Sequence, residues 1–148
     1  MGLTMSEERT TVRTTTTGSL RPVKQEVVSR TTDVTAVLVL YGMPRTLFCS
    51  VLAHECTHAY LKINSFPKMS LQTEEGLCQL VAYIYLQKQD KDPKDGDREK
   101  ERLYHMNKIF EDDSEVYGEG FRKSFEAFTK YGLSRVLSHV KLTSTLPI

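Results

Sequence analysis

The spacing of the apolar residues changes at Gly42-Met43-Pro44, and this change divides the chain into two kinds of structure. Upstream, ten threonines lie within the first 35 residues. β-branched side chains lose rotamer freedom in a helix and suit a pleated surface, so this part is expected to be extended. Arg9 to Thr17 reads as a strand, Gly18-Ser19-Leu20-Arg21-Pro22 as a turn, and Val23 to Thr31 as the returning partner. Thr35 to Tyr41 (TAVLVLY) is almost continuously apolar, the pattern of a third strand covered on both faces.

Downstream the period is helical. Thr46 is placed to cap a helix from Leu47 to about Ile63, with Val51, Leu52, Cys56, Ala59, Tyr60 and Ile63 as its apolar positions. A second helix, capped by Ser70 or Thr73, is expected over Glu74 to Lys88, with Leu77, Leu80, Val81, Ile84 and Tyr85 inward. Lys88 to Arg102 carries six positive and six negative charges around Pro93 and Gly96, and reads as a solvated loop into a third helix. Val116, Phe121, Phe125 and Phe128 continue at helical spacing until Tyr131-Gly132-Leu133, and a last helix is expected from Ser134 to Lys141. The expected fold is α+β: a small β-sheet over residues 1–45, then helices over 46–148, in one domain.

Composition narrows the function classes. Twenty Lys and Arg against nineteen Asp and Glu leave a net charge of +1, which gives no field to gather nucleic acid or an anionic membrane surface. The longest apolar run, Leu80 to Leu86, is far too short to span a bilayer, and Met1 to Thr17 lacks the apolar core of a signal peptide. Gly2 to Ser6 fits the loose myristoylation pattern, but no polybasic patch follows to support it. Cys49, Cys56 and Cys78 have no paired spacing and lie in apolar, helix-like stretches. They read as buried thiols of a reducing compartment.

One motif carries strong chemistry: His54-Glu55-Cys56-Thr57-His58, an HExxH. Residues four apart share a helix face, so both imidazoles can reach one zinc ion. Glu55, about 100° around the helix, is then placed beside the open coordination position as general acid and base. The alternative is a buried, hydrogen-bonded histidine pair with a chance glutamate. A catalytic zinc needs a third protein ligand, and Glu75 or Glu74 at the head of the second helix can supply a carboxylate. Glu75 is preferred because its place on that helix resembles the glutamate-ligand zinc peptidases. Cys56 points away from the His54–His58 face. Tyr117, Tyr131 and His139 are candidates to stabilise an oxyanion, whereas His105 reads as a surface residue.

The segments LYGMPRTLFCSVLAHECTHAYLKI, EEGLCQLVAY and VYGEGFRKSFEAFTKYGLSRVLSHVKLT together resemble the C-terminal peptidase domain of the DA-one family. These are ubiquitin-activated, LIM-domain-bearing regulators of organ growth in plants, and the resemblance runs from Gly2 to Leu146. It implies a zincin-like fold, His54, His58 and Glu75 as zinc ligands, and Glu55 as catalytic acid and base. It further implies limited cleavage of protein substrates in ubiquitin pathways, with ubiquitin or ubiquitinated proteins as partners, in the cytoplasm or nucleus. The family's ubiquitin-interacting segments and LIM domain have no counterpart here, since no second Cys/His cluster exists. The rival expectation is therefore a non-catalytic, zincin-like binding module that keeps the fold.

Overall fold

The computed structural model describes residues 2–15, 24–89 and 96–147. The chain opens with two strands, β1 (Gly2–Thr15) and β2 (Lys24–Val39), paired antiparallel from Gly2 opposite Val39 to Thr15 opposite Lys24. The register slips between Met5 and Ser6 and between Thr11 and Val12, each slip giving β2 one extra residue. Such bulges bend a strand and deepen its twist. Among the described residues five α-helices follow: α1 (Arg45–Ile63), α2 (Leu71–Gln87), α3 (Gly96–Phe110), α4 (Gly120–Tyr131) and α5 (Leu133–Thr143). A π-helical turn, Glu115–Glu119, leads directly into α4. The α+β order expected from the change of period is the order observed.

The sheet departs from expectation in its strand count and its cover. The second and third expected strands are a single strand, β2, because Thr32, Asp33 and Val34 stay paired with β1. The expected turn at Gly18 to Pro22 lies outside the described residues. Only one face of the hairpin packs on α1. On the other, Leu3 and its partner Leu38 are about half exposed, and Leu40 and Tyr41 beyond the strand are open to solvent. Among the described residues no second layer lies on that face, so the apolar run is not covered on both sides.

Helix boundaries differ for identifiable reasons. Pro44 stands at the N-cap of α1 and its carbonyl accepts from Phe48 N at 2.8 Å. Thr46 is therefore buried inside the first turn and caps nothing. Ala59 and Leu61 are the buried apolar residues of the second half of α1, whereas Cys56, Tyr60 and Ile63 are exposed. Ser70 caps α2, its Oγ accepting from Thr73 N at 3.1 Å. The helix begins at Leu71, three residues ahead of the expected start. In the charged stretch, α3 already begins at Gly96, and Arg102 is buried and not solvated. Its guanidinium holds both carboxylate oxygens of Glu99 at 2.7 Å and donates to the Leu86 carbonyl at 3.1 Å. That bond satisfies a carbonyl at the C-terminal end of α2 and fixes α3 against it.

The core lies between α2, α4 and α5, where Leu77, Ala127, Val136 and Val140 are buried together. Tyr83, Phe110, Phe121 and Phe125 add a cluster of tilted and edge-on rings on the α3 side. Gly132, at φ +79°, makes the sharp join between α4 and α5 that the sequence pattern indicated. Gly76 and Gly120 let α2 and α4 touch backbone to backbone: a Cβ on Gly76 would run into the Gly120 carbonyl. Gly76→Ala is therefore expected to cost about 1–3 kcal/mol in denaturant unfolding. Gly96→Ala, where a Cβ meets nothing, should be neutral or slightly stabilising.

Candidate metal centre

α1 and α2 cross so that the His54–His58 face of one meets the first turns of the other. His54 and His58, one helical turn apart, set their rings 5.1 Å apart, close to edge-on. Glu75 rises from α2 between them, with Oε2 at 3.2 Å from His54 Nε2 and 3.4 Å from His58 Nε2. Glu74, its neighbour, accepts from the other ring nitrogen of His58: Nδ1 to Oε1 is 2.9 Å. The two carboxylates thus hold one imidazole by its two nitrogens. Cys78, fully buried one turn further along α2, brings a thiol to within 4.8 Å of both histidines' ligating atoms.

The electrostatics favour a cation at this point. Burial works against charge on His58, but Cys78, Glu74 and Glu75 outweigh it and push the imidazole up to about 12. Burial likewise opposes charge on Glu75, and His54 and His58 overcome it, holding the carboxyl down to about 2. Burial pushes the Cys78 thiol up to about 11. Glu75 Oε2 is buried and no hydrogen bond satisfies it, despite its nearness to the two Nε2 atoms.

These residues fit a divalent metal. Zinc with bonds of about 2.0–2.1 Å spaces tetrahedral ligand atoms about 3.3–3.4 Å apart. The Glu75–His54 and Glu75–His58 separations of 3.2 and 3.4 Å match that spacing. Glu74 has the geometry of a supporting carboxylate, since a histidine ligand commonly donates its second N–H to one.

The candidate acid–base residue, Glu55, is buried on α1 with its carboxylate turned toward β1. It lines a cleft of about 530 Å³ together with Gly2, His54, His105, Lys108, Asp112 and Tyr117. Tyr117, carried by the π-helical turn, is held near this site by a short relay. Gln72 on α2 donates to the Glu115 carbonyl at 2.7 Å, and Ser114 Oγ accepts from Tyr117 N at 3.3 Å. The negative charge of Glu75 raises the Tyr117 phenol above its ordinary value, which keeps its proton available for donation.

The other candidates lie elsewhere. Tyr131 packs against the α4–α5 core, and His139 sits half-buried on α5, outside the residues that line the cleft. His105 corrects the surface reading: its side chain is 15% exposed and faces the cleft. The signal is present in the spacing, because His105, Lys108 and Ile109, three and four residues apart, share one face of α3. Cys78 is the buried thiol expected, and its place four residues after Glu74 also sets it on the same face. Cys56, by contrast, is exposed.

Known proteins supply an independent comparison. The family model described as DA1-like (Protein DA1) matches residues 1–99 and 88–143. Protein DA1-related 1 of Arabidopsis thaliana is 36% identical over 141 residues, covering 80% of this chain and 26% of that protein. Protein DA1-related 2 of Arabidopsis thaliana is 33% identical, covering 99% of this chain and 34% of that protein. The LIM domain-containing protein HDR3 of Oryza sativa subsp. japonica is 30% identical, covering 99% and 36%. The chain thus spans roughly a quarter to a third of the length of these relatives. No solved structure matches. Among the described residues, no helix is long and apolar enough to cross a membrane.

The geometry separates the two glutamates experimentally. Glu75→Gln and His58→Ala should lose stoichiometric zinc by elemental mass spectrometry, the first because it exchanges an anionic oxygen for a neutral amide and the second because it removes the imidazole. Glu74→Gln should keep it, because the amide oxygen still accepts from Nδ1, whereas Glu74→Ala should weaken binding about 10-fold or more.

Proposed function

The chain belongs to the DA1 family, and from that premise we propose that it is a zinc-dependent endopeptidase acting on protein substrates. The observation that carries the reading is Glu75 Oε2, a buried, unsatisfied oxygen set between His54 Nε2 and His58 Nε2. His54, His58 and Glu75 would hold the ion, and once it displaces the Nε2 proton of His58, Glu74 would accept the remaining Nδ1 proton and orient the ring. When bound, zinc supplies Lewis acidity, polarising the scissile carbonyl and making a water acidic near neutral pH. Glu55 takes the proton of the attacking water and returns it to the leaving amine. Tyr117, a protonated phenol on the same cleft, donates to the oxygen on which negative charge develops. On family resemblance, the proposal extends to substrates and partners in ubiquitin-linked regulation, in the cytoplasm or nucleus.

One observation favours a second reading. His54, His58 and Cys78 bring three ligand atoms within 4.8 Å of one another, and with Glu75 as well, four protein ligands would leave a zinc site closed and structural. The chain would then be a binding module. Glu55 distinguishes the two: Glu55→Gln should retain zinc and lower cleavage of an unfolded protein substrate by at least about 10²-fold. Equal cleavage by wild type and Glu55→Gln would reject the acid–base role. Tyr117→Phe should lower kcat by about 10²-fold, with zinc content unchanged.

A further inference from the structure

The carboxylate of Glu55 is gripped by the first strand. Thr4 Oγ1 lies 2.8 Å from Glu55 Oε2 and 2.9 Å from the Glu55 backbone carbonyl. The hydroxyl has a single proton, so these two oxygens of one residue compete for it or share it. A hydrogen bond to a charged oxygen is the stronger of the two kinds, so the carboxylate dominates this contact. Strand alternation places Gly2 and Thr4 on the α1 face, while Leu3 and Met5 are 57% and 47% exposed on the other. Gly2 closes the remaining space. A Cβ there would stand 2.5 Å from Glu55 Cγ and 2.7 Å from Oε1, so a larger residue has no room unless the carboxylate moves.

We propose that Thr4 is a positioning residue for Glu55, anchoring Oε2 so that Oε1, on the Gly2 side, is the oxygen that exchanges the proton. The inference rests on the peptidase reading and deepens it. It makes β1, more than fifty residues upstream in the chain, a working part of the HExxH helix. Proton transfer from a mispositioned base is slow even when every catalytic group is present, and a displacement near 1 Å costs about 10²-fold.

The test uses the zinc-loaded chain and fluorescein-labelled casein, with zinc content and thermal midpoint measured for each variant. Thr4→Val should lower kcat about 10- to 100-fold with KM and zinc content unchanged, and Thr4→Ser should restore most of the loss. Gly2→Ala, which displaces the same carboxylate by contact and not by a lost hydrogen bond, should also lower kcat with zinc retained. In a Glu55→Gln background, Thr4→Val should add no further loss, since the group it positions is already disabled. Wild-type kcat in both Thr4→Val and Gly2→Ala would overturn the proposal, as would an undiminished effect of Thr4→Val in the Glu55→Gln background. A zinc-loaded wild-type chain that cleaves nothing would instead overturn the peptidase reading, and the positioning role with it.

Discussion

Two charged carboxylates set against two imidazoles in a half-buried cleft are costly to assemble unless the elements that carry them are rigidly placed. Glu74 and Glu75 are consecutive on α2, so about 100° of helix separates their directions, and both still reach histidines on α1. This works only because the crossing of α1 and α2 brings His58 to the boundary between the two glutamates. One takes its Nδ1 and the other faces its Nε2. The rest of the helical packing serves that crossing. Gly76 and Gly120 allow α4 to lie directly on α2, and Arg102 ties α3 to the other end of the same helix. Errors of a few tenths of an ångström in α2 would be transmitted straight to the donor atoms.

Much of this arrangement was legible in the sequence because it depends on local periodicity. The change of period at Gly42-Met43-Pro44, the break at Gly132, a cap at Ser70 or Thr73 and the shared face of His54 and His58 are all short-range features. Choosing between Glu74 and Glu75 was different in kind. Either residue can cross to α1 from its place on the helix, and only the crossing angle determines which nitrogen each one meets. His105 was misread because a charged stretch around it suggested solvent. Its neighbour Arg102 is in fact buried by a bidentate pair, which turns the inner face of α3 toward the cleft. The third strand was misread for a related reason. A continuous apolar run signals two covered faces only when the sheet has layers on both sides, and here α1 is the layer on one side.

The π-helical turn illustrates how a local irregularity serves the site. An α-helix entering at Glu115 would advance about 100° per residue and aim Tyr117 in a different direction. A wider turn absorbs that rotation at modest cost and is common near functional residues. The turn is stabilised by its own cap, Ser114, and by Gln72 from α2, so its geometry is set by the same helix that carries the two glutamates.

The β-hairpin has a consequence of scale. Fourteen residues of β1 extend about 45 Å, whereas the nineteen residues of α1 beneath it cover about 28 Å. The ribbon therefore overhangs its support, and Glu7 to Val12 are exposed. Both margins of an overhanging two-stranded ribbon offer unpaired amides and carbonyls, the template on which foreign strands add and fibrils start. The overhang here is built mostly from threonines and charged residues, which flank the half-exposed pair Val12 and Val27, with Arg9 and Asp33 paired across it at 3.5 Å. Polar side chains of both signs keep such a margin hydrated, so the same composition that favours a strand also protects an uncovered one from self-association.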